Sequence, residues 1–230
     1  MSIYYYLEIL TFSFNLQISK INYLCHCFMK DTLINNFKNL KSDFLRKSKS
    51  RLLNQKSIVV WLTGLSGSGK TTIAYELEKL LLSKHFISCV IDGDDVRSKL
   101  NSDLGFSEND RKENIRRVAE VAKMLVGSSI IAICSFVSPT ESIRAVAENI
   151  LADNFIEIYV NSPIEVCEKR DVKGLYKRAR NGEIFNFTGI DSPYEAPKNP
   201  FLEVRSDLMS VKDSVNLIFQ NIIPLIEIKV

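Results

Sequence analysis

Residues 57–71 read SIVVWLTGLSGSGKT, and the change of character at Gly64 decides the fold. Ser57 to Thr63 is a short unbroken apolar run, as a strand buried on both faces requires. Gly64 to Thr71 then fits the spacing G-x-x-x-x-G-K-[ST]. Beyond it, Ile73, Leu77, Leu80 and Leu81 recur at helical spacing, so a helix follows. The residue types between strand and helix have mechanical reasons. Gly64, Gly67 and Gly69 let the backbone turn inward, so that N–H groups from Leu65, Ser66 and Ser68 through Thr72 can surround a phosphate. The helix N-terminus adds roughly half a positive charge. Lys70 is placed to reach the β and γ phosphates, and the Thr71 hydroxyl to ligate Mg²⁺. The stretch therefore predicts a nucleoside triphosphate site.

Outward from this stretch, apolar runs alternate with helical patterns. Strands are expected at 87–91, 129–136 and 155–160, with a short last one at 202–205. A charged helix is expected over 110–126, with Val118, Val121, Ala122 and Leu125 on one face. Ser138-Pro139 and Ser162-Pro163 read as helix starts, Ser as N-cap and Pro in the first turn. Ser210 caps a last helix that Pro224 should end or kink. Such alternation predicts an α/β fold, a P-loop NTPase-type three-layer sandwich with a parallel sheet and helices on both faces. Ligands of these sheets bind beyond the carboxyl ends of the strands. Residues 171–200 hold glycines, prolines and bases without periodicity and are too long for an idle connection; 171–195 reads as a basic lid.

Composition narrows the class. A formal charge of +3 on 230 residues is too small to argue for nucleic acid. The absence of an NKxD guanine reader counts against a GTPase. The third strand ends in Ser-Phe-Val-Ser rather than in an acid, which counts against a motor ATPase. The five cysteines, Cys25, Cys27, Cys89, Cys134 and Cys167, are odd in number and read as reduced thiols. Cys25-His26-Cys27 is too short and isolated for zinc.

The organisation expected is a 1–28 extension, a 29–56 basic segment and a catalytic domain over 57–230. Residues 1–28 are apolar and aromatic, but Glu8, Asn15, Gln17 and Lys20 interrupt them too often for a membrane span. They also lack the arginines of an organelle-targeting segment. Met29 is a plausible alternative start. Residues 30–56 read as a helix and then a solvated linker. A cytoplasmic protein without membrane contact is expected.

The acceptor side is read from three further stretches. In DGDDVR, Asp92 and Asp94 flank a glycine at a strand end, where one carboxylate can serve a metal and the other a hydroxyl proton. Arg97, one helical turn after Asp94, could clamp an anion. The plainer alternative is a turn followed by a capped helix. In GFSENDRKENIRRVAEVAK (105–123), Arg111, Asn114 and Arg117 share one helix face, suited either to a charged nucleotide or to a solvated Glu-Arg lattice. In NFTGID (186–191), turn formers surround Phe187, an aromatic ring in a loop expected to be exposed.

Together with SFVSP, RDVKGLYKRAR and YEAP, these stretches resemble adenylyl-sulfate kinases, in order from about 58 to 200. The resemblance implies transfer of the γ-phosphoryl of MgATP to the ribose 3′-hydroxyl of adenylyl sulfate (APS), giving 3′-phosphoadenylyl sulfate in sulfate assimilation. It implies a homodimer and assigns Asp94 and Arg97 to the acceptor, with Asp92 near the metal. Phe106, Arg111 and Asn114 would line the APS pocket, and Arg117 would lie near its charged end. Val137 and Ser138 would contact APS, and Ser138 matches the family's phosphoserine intermediate. Phe187 would stack on the APS adenine, and Lys173 would reach the acceptor from the lid. Arg178 and Arg180 are the lid arginines for ATP, with nothing to choose between them. The alternatives are a P-loop kinase of another small acceptor and a catalytically silent nucleotide-binding partner protein.

Overall fold

A computed structural model describes residues 43–228. The extension at 1–28, with Cys25 and Cys27, lies outside the described residues. Residues 43–53 form helix α1. The chain then builds β1 (Val59–Thr63), α2 (Lys70–Ser83), β2 (Ser88–Asp92), α3 (Gly93–Ser98), α4 (Glu108–Gly127), β3 (Ile131–Ser135), α5 (Glu141–Leu151) and β4 (Phe155–Asn161). α6 (Ile164–Arg170), α7 (Leu175–Arg180), β5 (Leu202–Arg205) and α8 (Val211–Ile226) complete it. No helix among the described residues is long and apolar enough to cross a membrane.

All strand pairings are parallel, in the order β2-β3-β1-β4-β5. The alternation of side chains along each strand divides the core into two layers. Val60, Leu62, Ile131 and Ile133 face one side, where Ile73, Leu77 and Leu81 of α2 and Ile218 and Ile222 of α8 cover them. Val59, Trp61, Ala132 and Cys134 face the other, under Ile115, Val118 and Ala122 of α4 and Ile143, Ala147 and Leu151 of α5. The three-layer α/β sandwich expected from the sequence is the fold observed.

Several local expectations are corrected. α5 is capped by Thr140, whose hydroxyl accepts from Ile143 N, and not by Ser138. At α6 the cap position falls on Pro163 with no side-chain bond, and Ser162 is buried just before it. In both cases the helix starts later than Ser-Pro spacing suggested: the Ser138 hydroxyl bonds Trp61 and Thr63, and Ser162 is buried without capping the helix. Pro224 does not end α8, which runs two residues further to Ile226. So near a C-terminus, the one backbone bond a proline removes is a small loss. The stretch before β1 is not a solvated linker throughout. Gln55 is fully buried, and its amide donates to Ile87 O and Ser129 O and accepts from Ile87 N. The lid, read as aperiodic, contains the short helix α7.

Candidate active site

The carboxyl ends of all five parallel strands lie on one edge of the sheet. β1 runs into the glycine turn at Gly64, where a Cβ would stand 2.4 Å from Val160 O and 2.8 Å from Ser68 Oγ. Only glycine allows that approach of turn to sheet. Lys70, at the start of α2, is 7% exposed. Its ammonium donates to Gly64 O at 2.9 Å, Leu65 O at 2.7 Å and Ser68 Oγ at 3.4 Å. Burial pulls its pKa down from 10.5 to about 8. The lysine is thus held inside the turn on neutral carbonyls, a setting that an anionic phosphate would improve.

Thr71 Oγ1 donates to Asp92 Oδ2 at 2.7 Å. The other carboxylate oxygen of Asp92 accepts from Asp94 N at 3.0 Å and caps α3. The metal-and-cap alternatives for Asp92 are therefore compatible, one oxygen for each. Asp92 is paired in register with Ser135, whose hydroxyl lies 3.4 Å from Thr71 Oγ1. This set of hard oxygens carries a single carboxylate. It fits Mg²⁺, which retains waters and takes its remaining ligands from phosphates. Ser135 was not singled out in the sequence, because only the register of β2 on β3 brings it there.

A cavity of about 1060 Å³ runs from this cradle to the acceptor stretches. It is lined by residues 66–73, by Asp92 and Asp94, by Arg97, Phe106, Arg111 and Asn114, by 135–139, and by lid and loop residues including Lys173, Arg178 and Phe187. Gly64 and Leu65 lie behind it and serve through the carbonyls that hold Lys70. Asp94 is exposed and pairs with Lys173 of the lid. The Arg97 guanidinium lies 4.5 Å from the Phe106 ring centroid and that of Arg111 lies 5.8 Å from it. Desolvation, and then the charge of Arg111, lower the pKa of Arg97. Two guanidiniums crowded beside one exposed ring make a place for an anion with an aromatic neighbour.

Arg111 is also a bridge. It donates to Phe106 O at 3.0 Å, to Thr188 Oγ1 at 3.0 Å and to Asn186 O at 2.6 Å. Asn114 is buried, accepting from Asn101 Nδ2 at 2.9 Å. Arg117 departs from the expected face. It forms a bidentate pair with Asp103 at 2.8 and 2.9 Å and a third bond to Glu113, and it does not line the cavity. Asp103 lies too far along the chain for a helical-spacing argument to have found it.

Phe187 is half-buried rather than exposed, with its ring edge-on to Tyr176 at 5.0 Å between centroids. The exposed ring is Phe185, just before that loop. The lid arginines are now distinguishable. Arg178 lines the cavity and pairs with Glu183, whereas Arg180 is held by Glu168 at 2.9 Å and faces away from it. Ser138 is 3% exposed. Its hydroxyl accepts from Trp61 Nε1 at 3.2 Å and donates to Thr63 Oγ1 at 3.0 Å. Arg170 was missed: it donates to Gly67 O at 3.3 Å and Ser206 O at 2.7 Å, joining the glycine turn to the segment after β5. It opens the stretch RDVKGLYKRAR, but its role could not be read there, since both partners are main-chain carbonyls.

With this geometry in view, the chain matches the family model described as Adenylylsulphate kinase over residues 56–205. An adenylyl-sulfate kinase of Bacteroides thetaiotaomicron is 51% identical over 185 residues, covering 80% of this chain and 92% of that one. One of Clostridium kluyveri is 53% identical over 173 residues, covering 75% and 87%. Among solved structures, the Mycobacterium tuberculosis APS kinase CysC in complex with AMPPNP and APS superposes with a TM-score of 0.71 at 44% identity. That match covers 73% of this chain and 98% of that one.

Proposed function

The chain belongs to the adenylylsulphate kinase family, and from that membership we propose that it phosphorylates the ribose 3′-hydroxyl of APS with MgATP, yielding ADP and 3′-phosphoadenylyl sulfate. The observation that carries this reading is the single cavity joining Lys70 and Thr71 to Asp94, Arg97 and Arg111. Phosphoryl transfer asks the protein mainly to align two oxygens and to balance charge.

Lys70 and the amides of residues 66–72 hold the donor's phosphates. Thr71 and Asp92, with Ser135 alongside, would hold Mg²⁺, which neutralises charge between the β and γ phosphates when bound. Asp94 takes the proton of the attacking hydroxyl once Lys173 releases it, and Lys173 is then free to face a negative group. Arg97 and Arg111 flank the anionic end of APS, beside Phe106 and Asn114. Phe187 offers a face to the adenine, its ring kept in place by the edge contact with Tyr176. Arg178 is the lid arginine nearest the donor, and Arg180 a structural partner of Glu168.

Transfer is direct. The Ser138 hydroxyl is turned to Trp61 and Thr63, so Ser138→Ala should retain turnover, and a phosphorylated serine should not accumulate with ATP alone. We place the reaction in the cytoplasm, in keeping with the free Cys89, Cys134 and Cys167, and expect a homodimer by light scattering. The deciding experiment supplies purified protein with MgATP and APS beside gluconate or shikimate. Formation of 3′-phosphoadenylyl sulfate from APS alone is expected. Absence of turnover with APS overturns the assignment.

A further inference from the structure

Tyr194 stands outside the residues that touch either nucleotide in the scheme above, yet its hydroxyl ends a closed hydrogen-bond inventory. Thr63, the last residue of β1, is fully buried. A threonine hydroxyl has one proton and two lone pairs. The proton goes to Val137 O at 2.8 Å. One lone pair accepts from Ser138 Oγ at 3.0 Å, the Thr63 proton being already committed to Val137. The second lone pair faces the Tyr194 hydroxyl at 3.1 Å, so Tyr194 donates. Burial pushes the Tyr194 pKa up, which keeps that proton in place. The Tyr194 ring stacks on Tyr159 at 6.0 Å, and Tyr159 is itself paired in register with Thr63.

The segment around Tyr194 is also tied to the chain leading into α5. Glu195 N donates to Pro139 O at 2.7 Å, and the Glu195 carboxylate accepts from Glu141 N at 2.7 Å. Upstream, Asp191 accepts from Asn186 N at 2.6 Å and Phe187 N at 2.5 Å, closing the loop on itself. At Gly189, φ is +94° and a Cβ would lie 3.1 Å from Leu65 Cδ2. Tyr176, against which Phe187 packs, donates to Ser66 O at 2.9 Å. The loop carrying Phe187 therefore meets the chain at Thr63, Leu65 and, through Tyr176, Ser66.

We infer that Tyr194 is a positioning residue for the acceptor: its hydroxyl pins the 186–195 loop to the end of β1, so that Phe187 is held at a fixed distance from the phosphate cradle. This rests on the reading that APS is the acceptor. The test is Tyr194→Phe, which keeps the ring stack and leaves Thr63 its bonds to Val137 and Ser138. The KM for APS should rise about fivefold, the effect of one lost hydrogen bond, while kcat, the KM for ATP and the melting temperature hold. In a Thr63→Val background the same substitution should have no further effect on the KM for APS. An unchanged KM for APS, an equal rise in both KM values, or additive effects of the two substitutions would overturn the role. Parent enzyme assayed alongside separates the failures. A parent inert towards APS removes the proposed function and this inference together, whereas an active parent with an indifferent variant removes only the role of Tyr194.

Discussion

The glycine turn at 64–71 and the loop at 186–195 border the same cavity and are held in opposite ways. In the turn, Lys70 bonds carbonyls five and six residues away and glycine conformations set the path, with Arg170 and Tyr176 bonding Gly67 O and Ser66 O from outside. In the loop, the bonds from Arg111 to Thr188 and from Thr63 to Tyr194 span 77 and 131 residues. The lysine that reaches the phosphates is thus set by its own turn, whereas the loop's links to the sheet and to α4 rest on side chains that arrive only with the completed fold. Substitutions should therefore act differently in each, abolishing chemistry in the first and loosening one substrate in the second.

The comparison breaks first at Lys70. Lys70→Ala should lower kcat by about 10³-fold, as loss of a charge-stabilising donor does, with the fold unchanged by circular dichroism. Turnover within tenfold of the parent would mean the turn is a scaffold only. Asp94→Asn should cost on the order of 10² in kcat, in the range of general-base removal. Phe187→Ala belongs to the other region. It should raise the KM for APS about tenfold, the lower part of the stacking range, while the Kd for ATP measured by calorimetry stays within twofold. Equal weakening of both nucleotides would erase the distinction between the regions.

Titration sharpens the same contrast. Lys70 has a pKa of about 8 in the absence of phosphate, so the free site is cationic at pH 7 and becomes neutral as pH rises through 8. The KM for ATP should therefore climb towards tenfold per pH unit above 8, with the KM for APS changing less. For stability the sign is reversed. The unfolded lysine keeps its proton to about 10.5, so this group opposes folding below pH 8 and the penalty fades between 8 and 10.5. The smallest effect separates two lid arginines. Arg178→Ala should raise the KM for ATP about fivefold, and Arg180→Ala, which breaks only an exposed pair with Glu168, less than twofold.

Legibility in the sequence followed the same divide. The parallel sheet, the cradle and the cap of α8 by Ser210 were readable because strand runs, glycine spacing and N-caps are short-range patterns. Even locally, Ser138 and Ser162 misled. Their hydroxyl chemistry suits a cap, but Trp61 and Thr63, more than seventy residues away, claim Ser138. Arg117 shared its predicted face with Arg111 and was taken by Asp103. Ser135, Arg170 and Tyr194 open the stretches SFVSP, RDVKGLYKRAR and YEAP, yet no role could be read for them, because their partners are set by strand register, are main-chain atoms or lie more than a hundred residues away. The resemblance to a family supplied the acceptor, which spacing alone left open between a charged nucleotide and a solvated helix.

The most direct measurement is a crystal structure of the protein with ADP and APS bound together. The expected result has the diphosphate in the 64–71 turn, the APS purine on Phe187 and the 3′-oxygen within hydrogen-bond distance of Asp94. A purine bound away from Phe187, or a 3′-oxygen out of reach of Asp94, would contradict a cavity built from one local and one long-range half.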